Sequence, residues 1–328
     1  LYIQYATSKG KEMMNIPLNT ASTRAETLVK LPENVSGFDT NGGEGAYRYQ
    51  WYPAKGETAT LMMEDNWPEM GDYDFNDFVI WYHAQAIFFD GGNGSKDSYD
   101  ADGVEFEITF RAMGGYLPYR LGLQLDQTSA KYIDEVIEIN GNNLVKMELQ
   151  NPGEDAPAIF IFTGTDQLRK QNNGGTFYNT EADHQIAAND LVTIKYRLKM
   201  NCFRSLEKTE ALWAAATSEN QNFFLQKEKN GGREIHLRGY EPTAYYSDSY
   251  AGEAGNNMHS DIKYCSTDNF VWGIKVPVKL AHPREKIDIM KVYGKFRSWI
   301  TNPNLSPDSP EDYNENWYKY LDSSQAIE

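Results

Sequence analysis

The residues best suited to chemistry lie between Asp65 and Asp77, in the run Glu64-Asp-Asn-Trp-Pro-Glu-Met-Gly-Asp-Tyr-Asp-Phe-Asn-Asp77. Asp65, Asp72, Asp74, Asn76 and Asp77 crowd oxygen donors into a short stretch that Pro68 and Gly71 mark as a turn. Calcium takes six to eight oxygens at about 2.3–2.6 Å, and a D-x-D-x-N spacing offers alternate side chains to one ion. Without a cation the same carboxylates repel and raise one another's pKa. The run is not an EF-hand. Counting from Asp72, the sixth position is Asp77 where Gly is required, and the twelfth is His83 where a bidentate Glu is required. The expected site is therefore Ca2+ in a β-type loop. Asp72, Asp74 and Asn76 are the direct ligands, Asp65 and Asp77 approach from the flanks, and Tyr73 and Phe75 point away as apolar anchors. The plainer reading is a solvated acidic turn whose side chains bond local backbone amides.

Strands must position such a loop. Val104, Phe106, Ile108 and Phe110 alternate with Glu105, Glu107, Thr109 and Arg111, and Val192 to Met200 alternates in the same way. Phe78–Trp81, Leu121–Leu125, Ile159–Phe162 and Phe270–Val278 are further strand candidates, separated by Asn/Gly-rich turns such as Asn140-Gly-Asn-Asn143. Helix is the minority. Ile289, Val292, Tyr293, Phe296, Trp299 and Ile300 recur at three- and four-residue steps and predict one helix over about 286–300, with a shorter one over 205–217. The fold expected is mainly β, an antiparallel, jelly-roll-like sandwich with a C-terminal helix packed on it. Residues 1–57 read as a strand-forming segment packed on the main domain, and 58–328 as that domain, with room for two sub-sandwiches.

Composition narrows the function. The chain has 328 residues, 31 Lys+Arg against 47 Asp+Glu and a formal net charge of −16. That charge, with no dense basic run, excludes the usual nucleic-acid footprint. No apolar run approaches the roughly 20 residues of a membrane-spanning helix. Aromatic residues make up 13%, Tyr foremost, which suits both strand faces and a surface that binds another molecule. Cys202 and Cys265 are the two cysteines; one disulfide would fit an extracytoplasmic protein, and two buried thiols would fit any compartment.

The acidic run resembles the signature of the LruC-domain family, E-D-x-W-P-x-x-G-D-Y-D-F-N-D-L-V, with Phe78 in place of the usual Leu. The resemblance continues through Arg233–Leu237 and Tyr240–Thr243, Asn269–Ile274, Pro283–Ile289, Phe296–Trp299 and Trp317-Tyr318, covering about residues 58–320 in order. It implies an extracytoplasmic protein of Gram-negative bacteria at the outer membrane or cell surface, lipid-anchored upstream of residue 1, with no established enzymatic activity. It supplies no ligand.

Other constellations weigh less. Asp90, Asn93, Asp97, Asp100, Asp102 and Gly103 form a second oxygen-rich stretch, a candidate to complete the calcium site or hold another ion, whose plainer reading is a soluble hairpin loop. His236, on a strand between Ile235 and Leu237, reads as a hydrogen-bonded structural histidine ahead of a catalytic one. No G-x-S-x-G, H-E-x-x-H, G-x-x-x-x-G-K-[ST] or G-x-G-x-x-G motif occurs. The leading expectation is a non-enzymatic, calcium-binding surface protein that engages a glycan, extracellular matrix or a host surface protein. Trp51, Tyr52, Trp67, Trp81, Tyr82, Tyr245, Tyr246 and Tyr250 are the candidate stacking surface. The alternatives are a carbohydrate-active enzyme or its accessory binding module, since two carboxylates suffice for a glycosidase, and a purely structural envelope component.

Overall fold

Alternating apolar side chains give two antiparallel sheets a buried face each, and these faces close on one another. The computed structural model describes residues 2–7, 10–15, 46–90, 103–150, 153–200, 202, 205–227, 232–246, 257–301 and 316–328. A hairpin of β1 (Tyr2–Thr7) and β2 (Gly10–Asn15) comes first. The sandwich strands follow in chain order as β3 (Ala46–Tyr52), β4 (Ala59–Met63), β5 (Phe78–Asp90), β6 (Gly103–Ala112), β7 (Tyr119–Ser129) and β8 (Glu135–Asn140). Then come β9 (Lys146–Gln150), β10 (Pro157–Thr163), β11 (Thr193–Lys199), β12 (Gln221–Lys227), β13 (Glu234–His236) and β14 (Gly273–Val276).

One sheet has the order β14-β4-β5-β6-β11-β8, and the other β13-β12-β7-β10-β9. Strand β5 is long enough to take two partners along one edge: β4 pairs with Phe78–Tyr82 and β3 with Ala84–Asp90. Strand β3, from the N-terminal segment, is thereby part of the larger sheet. Between the sheets lies the main core, where Phe78, Phe106 and Phe110 of one sheet share a cluster with Leu123, Phe160 and Phe223 of the other. The consecutive strands β8 and β9 each form one edge of their sheet, opposite β14 and β13, and are joined by Lys146 Nζ to Glu138 Oε2 at 2.7 Å.

A second core forms on the opposite face of the larger sheet. Met62, Val79 and Ala112 point outward there and are covered by the C-terminal segment through Ile289, Val292, Phe296 and Trp317. The periodicity predicts one helix over this segment; the structure has two short ones, α3 (Ile289–Val292) and α4 (Phe296–Thr301). Asp288 caps the first by accepting from Met290 N. The segment turns at Tyr293–Lys295, where Gly294 carries no helix-favouring side chain and its N–H donates to Tyr320 O at 3.1 Å. Both helices keep the apolar stripe, because it is the second core that selects it. The shorter helix expected over 205–217 spans Leu206–Ala215, with Ser205 accepting from Lys208 N as its cap. Cys202 and Cys265 are buried thiols outside any disulfide, each engaged with backbone carbonyls.

The chain ends in a two-residue ladder, His282–Pro283 against Ala326–Ile327. His282 is fully buried, with Nε2–H donating to Asn179 O at 2.7 Å. Burial, and then the Arg111 guanidinium, push its pKa down to about 3 from an ordinary 6.5. Between those values the unfolded chain takes up a proton that the native ring refuses. This contribution to stability is therefore complete above about pH 6.5 and is lost as the pH falls toward 3. Denaturant titrations at pH 7 and pH 5 should show the drop, and His282→Gln should flatten it; an unaltered slope in that variant would contradict the assignment.

Candidate metal centre

The acidic run is the link between strands β4 and β5, so its ends are anchored by the sheet. Its centre is not extended: Gly71, Tyr73 and Phe75 have φ of +63°, +57° and +54°, in the left-handed region. Two large aromatics hold that conformation because their rings are buried. Tyr73 and Phe75 sit in the second core, their ring centroids 4.8 Å apart edge to face, and Phe75 lies 5.8 Å from Phe296. Trp67, at the start of the turn, enters the main core instead. The turn is thus pinned between the two cores. Backbone bonds fasten it further: Ile289 N donates to Tyr73 O at 3.0 Å, Lys286 N to Asp74 Oδ2 at 2.7 Å, and Gly114 N to Asn76 O at 2.9 Å.

The five expected site residues divide in place. Asp72 and Asp74 meet Glu285 of the C-terminal segment, with one oxygen of each within 4.8 Å of the others. Asp65 and Asp77 are joined elsewhere, Asp65 N donating to Asp77 Oδ2 at 2.8 Å, and Leu117 N donating to Asp65 Oδ2 at 3.2 Å. Asn76 points toward Gly114 and Pro283 O. The even fan expected of alternating side chains gives way to left-handed residues that splay the donors into two groups. Local amide bonds are also present, since Asn76 N donates to Asp74 Oδ1 at 3.1 Å. The turn is solvated only in part: Asp72 is exposed, whereas Asp65 and Asp74 are 4% and 1% exposed.

Sequence reasoning left two participants out. Glu64, 0% exposed, has one oxygen accepting from Phe75 N, while Oε2 accepts no hydrogen bond among the described residues. Its signal was its place beside Asp65 at the end of a fully buried strand. Glu285 comes from more than two hundred residues away, and no spacing could have found it.

The electrostatics are unfavourable for bare carboxylates. Burial raises Glu64 well above its ordinary range, and Asp77 and Asp74 raise it further. Burial and then Asp65 do the same to Asp77. Burial and Asp72 push Asp74 up to about 8. Opposing charge is sparse: Arg169 eases Asp65, and Lys286 eases Glu285. Arg169 is itself tied to Gly115 O and Leu117 O at 2.7 and 2.9 Å. The backbone makes room for oxygens, because a Cβ on Gly114 would stand 2.0 Å from Asn76 Oδ1 and one on Gly115 2.0 Å from Asp65 Oδ2. An all-oxygen donor set with buried carboxylates and an orphaned oxygen fits a hard divalent cation such as Ca2+.

A separate cleft of about 540 Å³ opens beyond the smaller sheet, lined by Gln124, Asp126, Glu219, Arg238, Tyr240 and Glu241. Asp126 Oδ1 accepts from Gln124 Nε2 at 2.8 Å and from Asn222 Nδ2 at 3.4 Å. Behind it His236 is fully buried, with Nδ1 2.7 Å from Asn222 Oδ1 and Nε2 3.0 Å from Glu234 Oε2. It also stacks on Phe224 at 4.7 Å, which makes it a hydrogen-bonded structural residue. Of the candidate stacking aromatics, Trp67 and Tyr82 are core residues and Tyr245 is exposed. Tyr250 and residues 91–102 of the second oxygen-rich stretch lie outside the described residues.

Fold and site together define an antiparallel β-sandwich bearing an acidic, oxygen-rich turn clamped between two cores. The chain belongs to the family described as Domain of unknown function (DUF4842), whose model matches residues 101–318. That match includes Glu285 and the cleft but not the acidic turn. A solved structure described as a "putative lipoprotein" from Bacteroides ovatus is similar over 100% of this chain and 89% of its own, with a TM-score of 0.69 and 22% identity. At that identity the likeness is one of fold. No curated protein matches the chain. Among the described residues no helix is long and apolar enough to cross a membrane.

Proposed function

We propose that this is a calcium-stabilised, non-enzymatic protein of the bacterial envelope, extracytoplasmic and lipid-anchored at the outer membrane or cell surface. In this reading the LruC resemblance and the fold likeness to a described lipoprotein agree on location. The observation that carries the ion is Glu64, a fully buried carboxylate with an unpartnered oxygen among repelling carboxylates. Such an arrangement costs several kcal/mol per ion unless opposite charge offsets it. Ca2+ supplies that charge, and millimolar Ca2+ outside a cell would load even a weak site of Kd on the order of 10⁻⁴ M. Melting in Ca2+ and in chelator tests the ion.

The working surface is proposed to be the cleft at Tyr240, engaging a glycan or matrix polymer. Its volume lies in the range of ligand pockets, and it combines an aromatic ring with amide, guanidinium and carboxylate groups. Carboxylates outnumber the guanidinium, which favours neutral or cationic sugars over sulfated or phosphorylated ones. A glycan array should register binding that Tyr240→Ala and Asp126→Ala weaken about tenfold or more. Turnover of chromogenic glycosides would instead support the carbohydrate-active enzyme. Silence in both assays would leave a structural envelope component whose ligand is the ion.

A further inference from the structure

A second pocket, of about 330 Å³, opens where the edges of the two sheets approach the second core. Strand β14, at the end of the larger sheet, contributes Ile274 and Lys275, with Val271 just before it. The turn leaving β13, at the end of the smaller sheet, contributes Leu237, Arg238 and Tyr240, and helix α4 contributes Trp299 and Ile300. These walls are held in place. Tyr240 N donates to Leu237 O at 3.2 Å, Gly239 N donates to Lys263 O at 2.9 Å, and Trp299 stacks on Trp317 with ring centroids 5.2 Å apart. A preformed pocket orders few groups when it fills, and this one has the volume of a small-molecule site.

Its lining joins an apolar wall to one available cation. Leu237, Val271, Ile274 and Ile300 are hydrophobic side chains with little other exposure, and Trp299 is half-buried beside them. Of the two basic residues, Lys275 is engaged, its Nζ donating to Ser218 O at 2.6 Å and to Gln221 O at 2.8 Å. Arg238 is half-buried, and among the described residues its one hydrogen bond is from Nη2 to Asn269 Oδ1 at 3.3 Å. The pocket shares Arg238 and Tyr240 with the cleft, but Asp126, Glu219 and Glu241 line the cleft alone, and no carboxylate lines the pocket. Its local charge is thus opposite to that of the chain as a whole, and a guanidinium presents paired donors that match a planar carboxylate. We infer that this pocket binds a small anionic amphiphile, a carboxylate carried on an apolar chain, with the head group on Arg238 and the chain against Ile274, Trp299 and Ile300.

Isothermal titration calorimetry of the intact protein with octanoate tests this, beside octanol, octyltrimethylammonium and acetate. Octanoate should bind one to a chain, about tenfold or more tighter than octanol, as a hydrogen-bonded charge on its head requires. Acetate lacks the chain and octyltrimethylammonium carries the wrong charge, so neither should bind measurably. Arg238→Gln should bring octanoate down to the affinity of octanol, and Trp299→Ala should weaken both. Equal binding of octanoate and octanol would overturn the anionic head group. Acetate binding as tightly as octanoate would leave an adventitious ion only and overturn the apolar half. No octanoate binding, or binding that neither substitution weakens, would overturn the inference outright. The comparison of the four probes on the unmodified chain does not depend on either variant folding.

Discussion

In about 10 mM Ca2+ the protein is expected to melt roughly 5 °C above its melting temperature in excess chelator. With a Kd on the order of 10⁻⁴ M, that concentration is about a hundredfold excess, and one bound ion stabilises the folded state by about 2.7 kcal/mol. A chain of this length shifts by about 2 °C per kcal/mol. The chelated protein must instead protonate its buried carboxylates or hold them charged and repelling; Asp74, raised to about 8 by burial and by Asp72, shows how far that pressure goes. Asp74→Ala removes a carboxylate that meets Asp72 and Glu285, and should abolish much of the difference between the two conditions. Differential scanning calorimetry of both proteins in both buffers provides the comparison. Superimposable curves for the unmodified chain, with no heat of Ca2+ binding, would reduce the turn to a protonated, hydrogen-bonded loop.

The second large effect belongs to Phe75. Its ring is fully buried against Tyr73 and Phe296, so Phe75→Ala leaves a cavity between the turn and the C-terminal segment. Such truncations cost about 3–5 kcal/mol, a large share of the roughly 5–15 kcal/mol that holds a typical protein folded. Alanine is as reluctant as phenylalanine at φ +54°, so the backbone contributes little to the difference. Calcium affinity should fall as well, because the same ring orients Asp74 and Asn76 on either side of it. Urea unfolding should show a lowered midpoint at unchanged slope. A loss under about 1 kcal/mol would mean that the second core does not hold the turn.

These effects show where the sequence was legible. Some strands announced themselves through period-two alternation, β11 most cleanly, with one dry face and one half-exposed one; β4 and β12, buried on both faces, gave no such signal. The acidic turn was visible as a crowd of oxygens, but its division into two groups was not. That division depends on the left-handed backbone at Tyr73 and Phe75, which alternation does not foresee, and on Glu285, placed by tertiary packing alone. The helix over 286–300 was misjudged for a related reason. The apolar spacing reflects the surface it covers, Met62 and Val79, and it survives a break at Gly294. Glu64 was in plain view, yet its burial follows from the strand it terminates and not from the motif beside it.

The free edges of the sandwich bear on behaviour at high concentration. Strand edges carry unpaired N–H and C=O groups that invite another chain to add on, the first step toward fibrous aggregates. Here β8 carries Glu135 and Glu138, and β9 carries Lys146 and Glu148. An incoming copy would have to bring the same charges alongside and strip water from them. At these two edges, charge therefore opposes the addition of a further strand.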